Sequence, residues 1–192
     1  VISKSDIYKK ASVGGIITKS VFTITAIGSL LEVKGFDRLI RVAEMLKKDG
    51  ISFCIQIIGR GEKEAELKRL VHELNVENEV HFLGFQANPY PYLKESDIFI
   101  STSISEGFSL VICEALVLGI PIVATNTAGA LELLEGGEYG VITEQNDLSI
   151  YVALKKYITD ETLRTEYHKK SLLRANIFEV QSVMSRFYEV IQ

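Results

Sequence analysis

Lysine and arginine are missing from this chain between Lys94 and Lys155, a span that holds nine acids: Glu95, Asp97, Glu106, Glu114, Glu132, Glu135, Glu138, Glu144 and Asp147. An anion bound by this half must be held by backbone N–H groups and a helix dipole. Cationic help has to come from elsewhere, and Lys34 and Arg60 are the evident sources. For most of the nine acids a solvated face is the better reading. The net charge of −4 argues against a general nucleic-acid or anionic-membrane binder. Cysteine occurs only at Cys54 and Cys113, in a predicted strand and a predicted apolar helix, which fits a reducing compartment better than a disulfide scaffold.

Other absences narrow the field further. No apolar run approaches the roughly 20 residues of a membrane span. No signal-peptide pattern is visible, and the first residue is Val1, so a piece of a longer protein is expected. His72, His81 and His168 lack metal-ligand spacing and sit on separate elements, so all three read as structural and no metal site is expected. There is no Walker loop, no credible Ser/His/Asp or Cys/His set, and no G-x-G-x-x-G after the first strand, which disfavours a nicotinamide oxidoreductase. Internal repeats and low-complexity tracts are also lacking.

What remains is ordinary globular composition, 47% hydrophobic and 24% charged, in 192 residues, enough for one well-cored domain. Residues 1–20 have weak periodicity and a Gly14-Gly15 break, and read as a lead-in segment or linker. Strands are predicted at 21–28, 52–58, 79–83, 97–101 and 121–125, with a stub at 140–143. Helices are predicted at 36–48, 63–74, 109–118 and 130–134, with at most a short one at 89–94. From Leu148 onward the pattern is helical, in two or three helices. Strand and helix alternate, and the strands are continuous apolar runs. Both facts point to a parallel sheet with helices on both faces, an α/β Rossmann-like domain over 21–175 followed by a C-terminal helix over 176–192. In such sheets ligands bind beyond the carboxyl ends of the strands.

One segment at such an end stands out, Glu106-Gly-Phe-Ser-Leu-Val-Ile-Cys-Glu114. Its helix is apolar on nearly every face and should be buried. A buried carboxylate needs partners or costs several kcal/mol. Glu114 therefore either emerges at an edge or is met by something polar. Phe108, Ser109 and Leu110 are placed to offer amides to an anion, and Glu114 to accept from vicinal hydroxyls. A serine-capped helix with a solvent-edge glutamate explains the segment equally well. Lys34, after the first strand, can reach phosphate over the sheet edge, although a solvated loop lysine is the simpler reading of any single lysine. Gly59-Arg60-Gly61 reads first as a tight turn.

Taken in order, six motifs resemble the donor-binding half of retaining, nucleotide-sugar-dependent glycosyltransferases of group 1 (family 4), with the GT-B fold. Glu106 to Glu114 resembles that family's E-x7-E motif. Leu118-Gly119-Ile-Pro121-Ile-Val-Ala124 resembles its G-x-P-V-V-A strand, and Gly28-x-Leu30-x3-Lys34-Gly35 its G-R-L-x3-K-G turn. Gly59-x-Gly61, Phe82-Leu-Gly84-Phe85 and Gly129-x2-Glu132 also fit. The resemblance implies catalytic roles for Glu106, beside the transferred sugar at its 3- or 4-hydroxyl, and for Lys34, on the diphosphate leaving group. It implies that Glu114 holds the ribose hydroxyls and that Gly107, Phe108, Ser109 and Leu110 form a sugar and phosphate cradle. Gly28, Ser29 and Arg60 would line the donor site, and Phe85 and Gln86 would flank the base.

The same resemblance implies a UDP- or GDP-sugar as donor and a glycan or lipid-linked acceptor for a hexose-type sugar. It implies retention by front-face attack, with no cofactor and no metal required; the lack of Asp-x-Asp agrees. It places the protein in the cytoplasm, with peripheral contact at the inner face of a membrane through an N-terminal acceptor domain of the same full-length chain. That domain is absent here, so the isolated domain is expected to bind nucleotide and transfer little sugar. The apolar face of the last helix (Phe178, Val183, Phe187, Val190, Ile191) is expected to pack on it. One departure is chemical: the family's first-turn arginine is Ser29, which removes a guanidinium from the leaving group. Two other readings stay open, a nucleotide-sugar epimerase or hydrolase of the same fold and a degenerate, non-catalytic partner domain.

Overall fold

The computed structural model describes residues 3–12 and 21–178. The first strand, β1 (Phe22–Ile27), is a β-branched run, and it sits in the middle of a sheet rather than at its edge. It pairs in parallel with β2 (Phe53–Ile58) on one side and with β4 (Ile98–Ser101) on the other. With β3 (Val80–Gly84), β5 (Ile122–Thr125) and β6 (Val141–Thr143), the six-stranded sheet has the order β3-β2-β1-β4-β5-β6, and every pair in it is parallel.

Alternation explains why these strands read as unbroken apolar runs. Side chains of successive strand residues point to opposite faces. On β4, Ile98 and Ile100 enter one buried cluster and Phe99 the other; on β5, Val123 goes one way and Ile122 and Ala124 the other. Both faces are therefore covered, as parallel sheets require. One cover is made by α2 (Phe36–Lys48), α3 (Glu64–Glu73) and α7 (Asp147–Thr159). The face of α2 read from periodicity, Phe36, Leu39, Ile40, Ala43 and Leu46, is buried, and Val42 joins it. Full burial of each such Leu or Ile side chain stabilises by roughly 1.5–3 kcal/mol.

The opposite cover contains α5 (Leu110–Val117), α6 (Ala128–Leu133) and the single-turn α4 (Tyr90–Lys94). The last long helix, α8 (Glu161–Arg174), reaches back to this side, where the Ser171 hydroxyl donates to the Ile120 carbonyl at 3.0 Å. A 3-10 turn spans Ala175–Phe178; residues 179–192 lie outside the described part, and so do the Phe178 side chain and the rest of the expected apolar face.

The lead-in segment is more than a linker. A helix, α1 (Lys4–Ala11), buries Ile7 and Ala11 against the α5 cluster. Tyr8 donates its hydroxyl to the Val117 carbonyl at 2.7 Å, and Asn88 donates its side-chain amide to the Lys10 carbonyl at 2.9 Å. Two buried residues one turn apart are too narrow a stripe for periodicity to detect, which is why the sequence reading missed this helix.

Candidate functional site

The strand order reverses between β1 and β4, and the crevice of an open α/β sheet lies at such a point, outside the carboxyl ends of the strands. Here the loops after β1, β4 and β5 are tied together. Thr102 donates its hydroxyl to the Lys34 carbonyl at 2.9 Å, and the Ile104 amide donates to the Val33 carbonyl at 2.7 Å. The Gly129 amide donates to the Glu106 carbonyl at 2.9 Å. Two glycines permit this approach. Gly35 has φ of 60° and a side chain there would come within 2.4 Å of the Thr102 carbonyl oxygen; at Gly129 a Cβ would fall 2.7 Å from the Gly107 carbonyl oxygen.

Inside the crevice is a cavity of about 260 Å3, lined by Gly28, Ser29, Lys34, Ser103, Glu106, Phe108, Ser109 and Leu110 among others. Lys34 Nζ donates to Glu106 Oε1 at 2.7 Å, and Ser103 Oγ donates to Glu106 Oε2 at 3.0 Å. The acid is thus fixed at both oxygens. Ser109 caps α5, its hydroxyl accepting from the Ile112 amide at 3.4 Å. The amides that follow it, at Leu110 and Val111, have no intrahelical acceptor and point to the cavity end of the helix. A Cβ at Gly107 would meet nothing within 4 Å, so the protein's own packing does not require glycine there.

A second cavity, about 290 Å3, shares Ile27, Gly28, Ser29 and Val111 with the first. Ile58, Gly59, Arg60, Phe85, Gln86, Pro89 and Glu114 complete its lining. The Arg60 guanidinium lies over the Phe85 ring, 4.6 Å from its centroid, a cation–π arrangement. Gln86 is turned back by its side-chain amide, which donates to the Leu83 carbonyl at 2.7 Å.

Glu114 is half-buried and is met by Tyr90, whose hydroxyl donates to Oε1 at 2.9 Å. Burial pushes the Glu114 carboxyl above the usual carboxylate range; the Tyr90 hydrogen bond and the charge of Lys10 act in the opposite sense. The Tyr90 phenol is pushed up to about 12, first by burial and then by Glu114. Cys113 rises to about 12 from the same two causes, which leaves an inert core thiol.

The structure therefore divides the candidate residues between two adjoining compartments. Lys34, Glu106, Phe108, Ser109 and Leu110 line the first, and Arg60, Phe85, Gln86 and Glu114 the second, with Gly28 and Ser29 between them. Arg60 does not reach the first compartment's lining; it stacks on Phe85 instead. Sequence reasoning missed Tyr90, Thr102 and Ser103. Ser103 carries a signal, three residues before Glu106 on one loop. Tyr90 carries none, since it lies 24 residues from Glu114 on another element.

A wider groove of about 640 Å3 runs between α2 and α3. Its acids (Glu32, Asp37, Glu66, Glu73) balance its cations (Arg38, Arg41, Lys63, Arg69), so it favours neither sign of ligand. Among the described residues no group of three or more His, Cys, Asp or Glu side chains is placed to hold a metal, and no helix is long and apolar enough to cross a membrane.

Known proteins are similar to this chain in sequence and in fold. Residues 14–173 match the family described as glycosyl transferases group 1. The N-acetylgalactosamine-N,N'-diacetylbacillosaminyl-diphospho-undecaprenol 4-alpha-N-acetylgalactosaminyltransferase of Campylobacter jejuni is 37% identical over 158 residues, 81% of this chain and 42% of that protein. An uncharacterized glycosyltransferase of Haemophilus influenzae is 32% identical over 171 residues, 88% of this chain and 48% of its own length. The chain thus spans under half of these two curated relatives. Among solved structures, Anabaena HepE in complex with UDP superposes with a TM-score of 0.75 at 26% identity, over 99% of this chain and 53% of that one. S. aureus TarM gives 0.78 at 23% identity, over 92% of this chain and 37% of that one, a likeness of fold. Its sheet is one half of the GT-B architecture these neighbours have, and the chain belongs to the group 1 glycosyl transferases.

Proposed function

We propose that this chain is the donor-binding half of a retaining glycosyltransferase, holding a nucleoside diphosphate-sugar across the two compartments. The observation that carries the reading is the Lys34–Glu106 pair in a cavity that adjoins, through Gly28 and Ser29, a second cavity ending at Glu114. The sugar and diphosphate occupy the first, where Lys34 offers the cation and the α5 amides the dipole. Glu106 accepts from a sugar hydroxyl. The nucleoside occupies the second, with its ribose diol on Glu114 and its base against Phe85 and Arg60.

Lys34 changes partner in this scheme. In the unliganded protein it neutralises Glu106; with donor present its ammonium serves the diphosphate as negative charge develops on the leaving group. Binding an anion close to Glu106 would otherwise be repulsive, so the acid is compensated by sugar hydroxyls and by Ser103. Ser29 adds no cation here. Arg60, on the neighbouring loop, is the other cation lining the two compartments, and it belongs to the nucleoside end.

Uridine is the favoured base and an N-acetylhexosamine the favoured sugar. HepE, at 26% identity, is described in complex with UDP, and the Campylobacter relative is named for N-acetylgalactosamine transfer onto a diphospho-undecaprenol glycan. That name specifies an α linkage, the outcome of retention when the donor sugar is itself α-linked. The acceptor in this reading is a lipid-linked glycan held mainly by a second domain, as the coverage of the relatives supports. Exposed apolar side chains line the two compartments, Phe108 and Leu110 in the first and Phe85 in the second, and give such a domain a surface to face. Product analysis of the full-length protein tests the proposal. A transferred sugar with retained anomeric configuration supports it; inversion, or an epimerised sugar formed without acceptor, contradicts it.

A further inference from the structure

We propose that Tyr90 is a positioning residue for nucleoside recognition: its hydroxyl fixes one carboxylate oxygen of Glu114 and leaves the other to the ribose diol. The proposal rests on the reading of the second compartment as the nucleoside subsite and assigns a residue on a separate element to its selectivity.

The geometry is specific. Tyr90 opens α4, a single turn held by Pro89 and Pro91, which restrict the backbone on both sides of it. Pro89 and Glu114 line the second cavity, while Tyr90, outside that lining, donates its hydroxyl to Glu114. An ionised carboxylate has about four acceptor positions. Tyr90 takes one on Oε1, and among the described residues no protein donor engages Oε2. The pair is braced by α1, with Lys10 Nζ 5.8 Å from the Tyr90 ring centroid and Asn88 tied to the Lys10 carbonyl at 2.9 Å.

A half-buried acid that must accept from two hydroxyls has to stay ionised and to stay aimed. Burial works against the first requirement, and the Tyr90 hydrogen bond works for it. The groups facing Glu114 are Tyr90 on α4, Lys10 on α1, Cys113 on α5 and Arg60 across the cavity. Tyr90 and Cys113 are held neutral, both pushed up to about 12, so Glu114 is the acid of this subsite whose charge the Tyr90 hydroxyl can tune.

Replacing the tyrosine by phenylalanine keeps the ring and removes only the hydroxyl. In the 192-residue chain, two measurements on Tyr90→Phe test the role. The first is a carbon-detected NMR titration of the Glu114 carboxyl without ligand, in which the midpoint should move to higher pH in the variant. The second is calorimetric affinity for UDP against 2′-deoxy-UDP, in which the wild-type preference for the ribose form should fall by about threefold or more. Its collapse with falling pH should also begin at a higher pH in the variant. A merely structural tyrosine would change overall affinity or thermal stability without moving the ratio. An unmoved midpoint, or an unmoved ratio where UDP binds, overturns the Tyr90 role alone. Absence of any UDP binding by the wild type overturns the nucleoside reading of the cavity and the proposal with it.

Discussion

Lys34 and Glu106, 72 residues apart in the chain, meet at 2.7 Å across the point where the sheet reverses its strand order. Both side chains are largely shielded, 24% and 15% exposed. Such a pair gives little stability of its own, because desolvation offsets attraction, yet removing one partner strands the other. Lys34→Met is therefore expected to cost about 1–2 kcal/mol of stability, between the values for exposed and buried pairs. It should also weaken nucleoside diphosphate binding by about tenfold or more, through loss of a charge-assisted contact. Chemical denaturation and calorimetry check the two effects separately.

Glu106→Gln separates sugar from nucleotide. The amide keeps the size of the side chain and loses its charge. Affinity for UDP alone should change little or rise, since a negative charge beside the diphosphate is removed. Discrimination between UDP-sugars and UDP should fall. Equal losses for all ligands would mark Glu106 as structural.

Glu114 carries a sign that can be tested. Its folded-state carboxyl lies above its ordinary value, chiefly through burial, so the native protein binds this proton more tightly than the unfolded chain. That contribution to stability is present at low pH and is lost as pH rises through the folded value. Glu114→Gln should thus raise the thermal midpoint relative to wild type more at pH 7 than at pH 4, while weakening nucleotide binding. A variant that loses stability at neutral pH would contradict the assignment.

Gly107 and Gly129 should part company. A methyl at Gly107 meets open space, so Gly107→Ala should leave stability nearly unchanged, and any loss of UDP-sugar affinity in it would mark a close approach of ligand to the backbone beside Glu106 and Phe108. A methyl at Gly129 collides with the loop that carries Glu106, so Gly129→Ala should cost about 1–3 kcal/mol. Thermal unfolding and UDP-sugar titration of the two variants, side by side, read this out.

Phe85→Ala should weaken UDP binding by about fivefold or more, since base stacking on an aromatic is worth about 1–3 kcal/mol. Inorganic pyrophosphate, which has no base, should bind the variant as it binds wild type. Lys34→Met should weaken both ligands.

Much of this was legible in the sequence because the sheet is buried on both sides. Unbroken apolar strands, glycine at their ends and a single clean α2 face dictate a parallel sheet with covering helices. The Glu106–Glu114 spacing carried the site because it straddles a helix start, where backbone donors are unsatisfied. The direct contact of Lys34 with Glu106 was not legible; it depends on Gly35 letting the β1 loop lie against Thr102. Nor was α1, whose buried stripe is two residues wide. Tyr90 shows the limit best, since the question of what meets the carboxylate on an apolar helix is answered from a different element.

The most direct test of the whole account is a calorimetric titration of UDP, GDP and ADP into this chain and its Glu114→Ala variant. The account predicts saturable binding of UDP to the wild type, stronger than of the other two, and a loss of about tenfold or more in the variant. No binding of any of the three at millimolar concentration, or equal binding by both proteins, would contradict it.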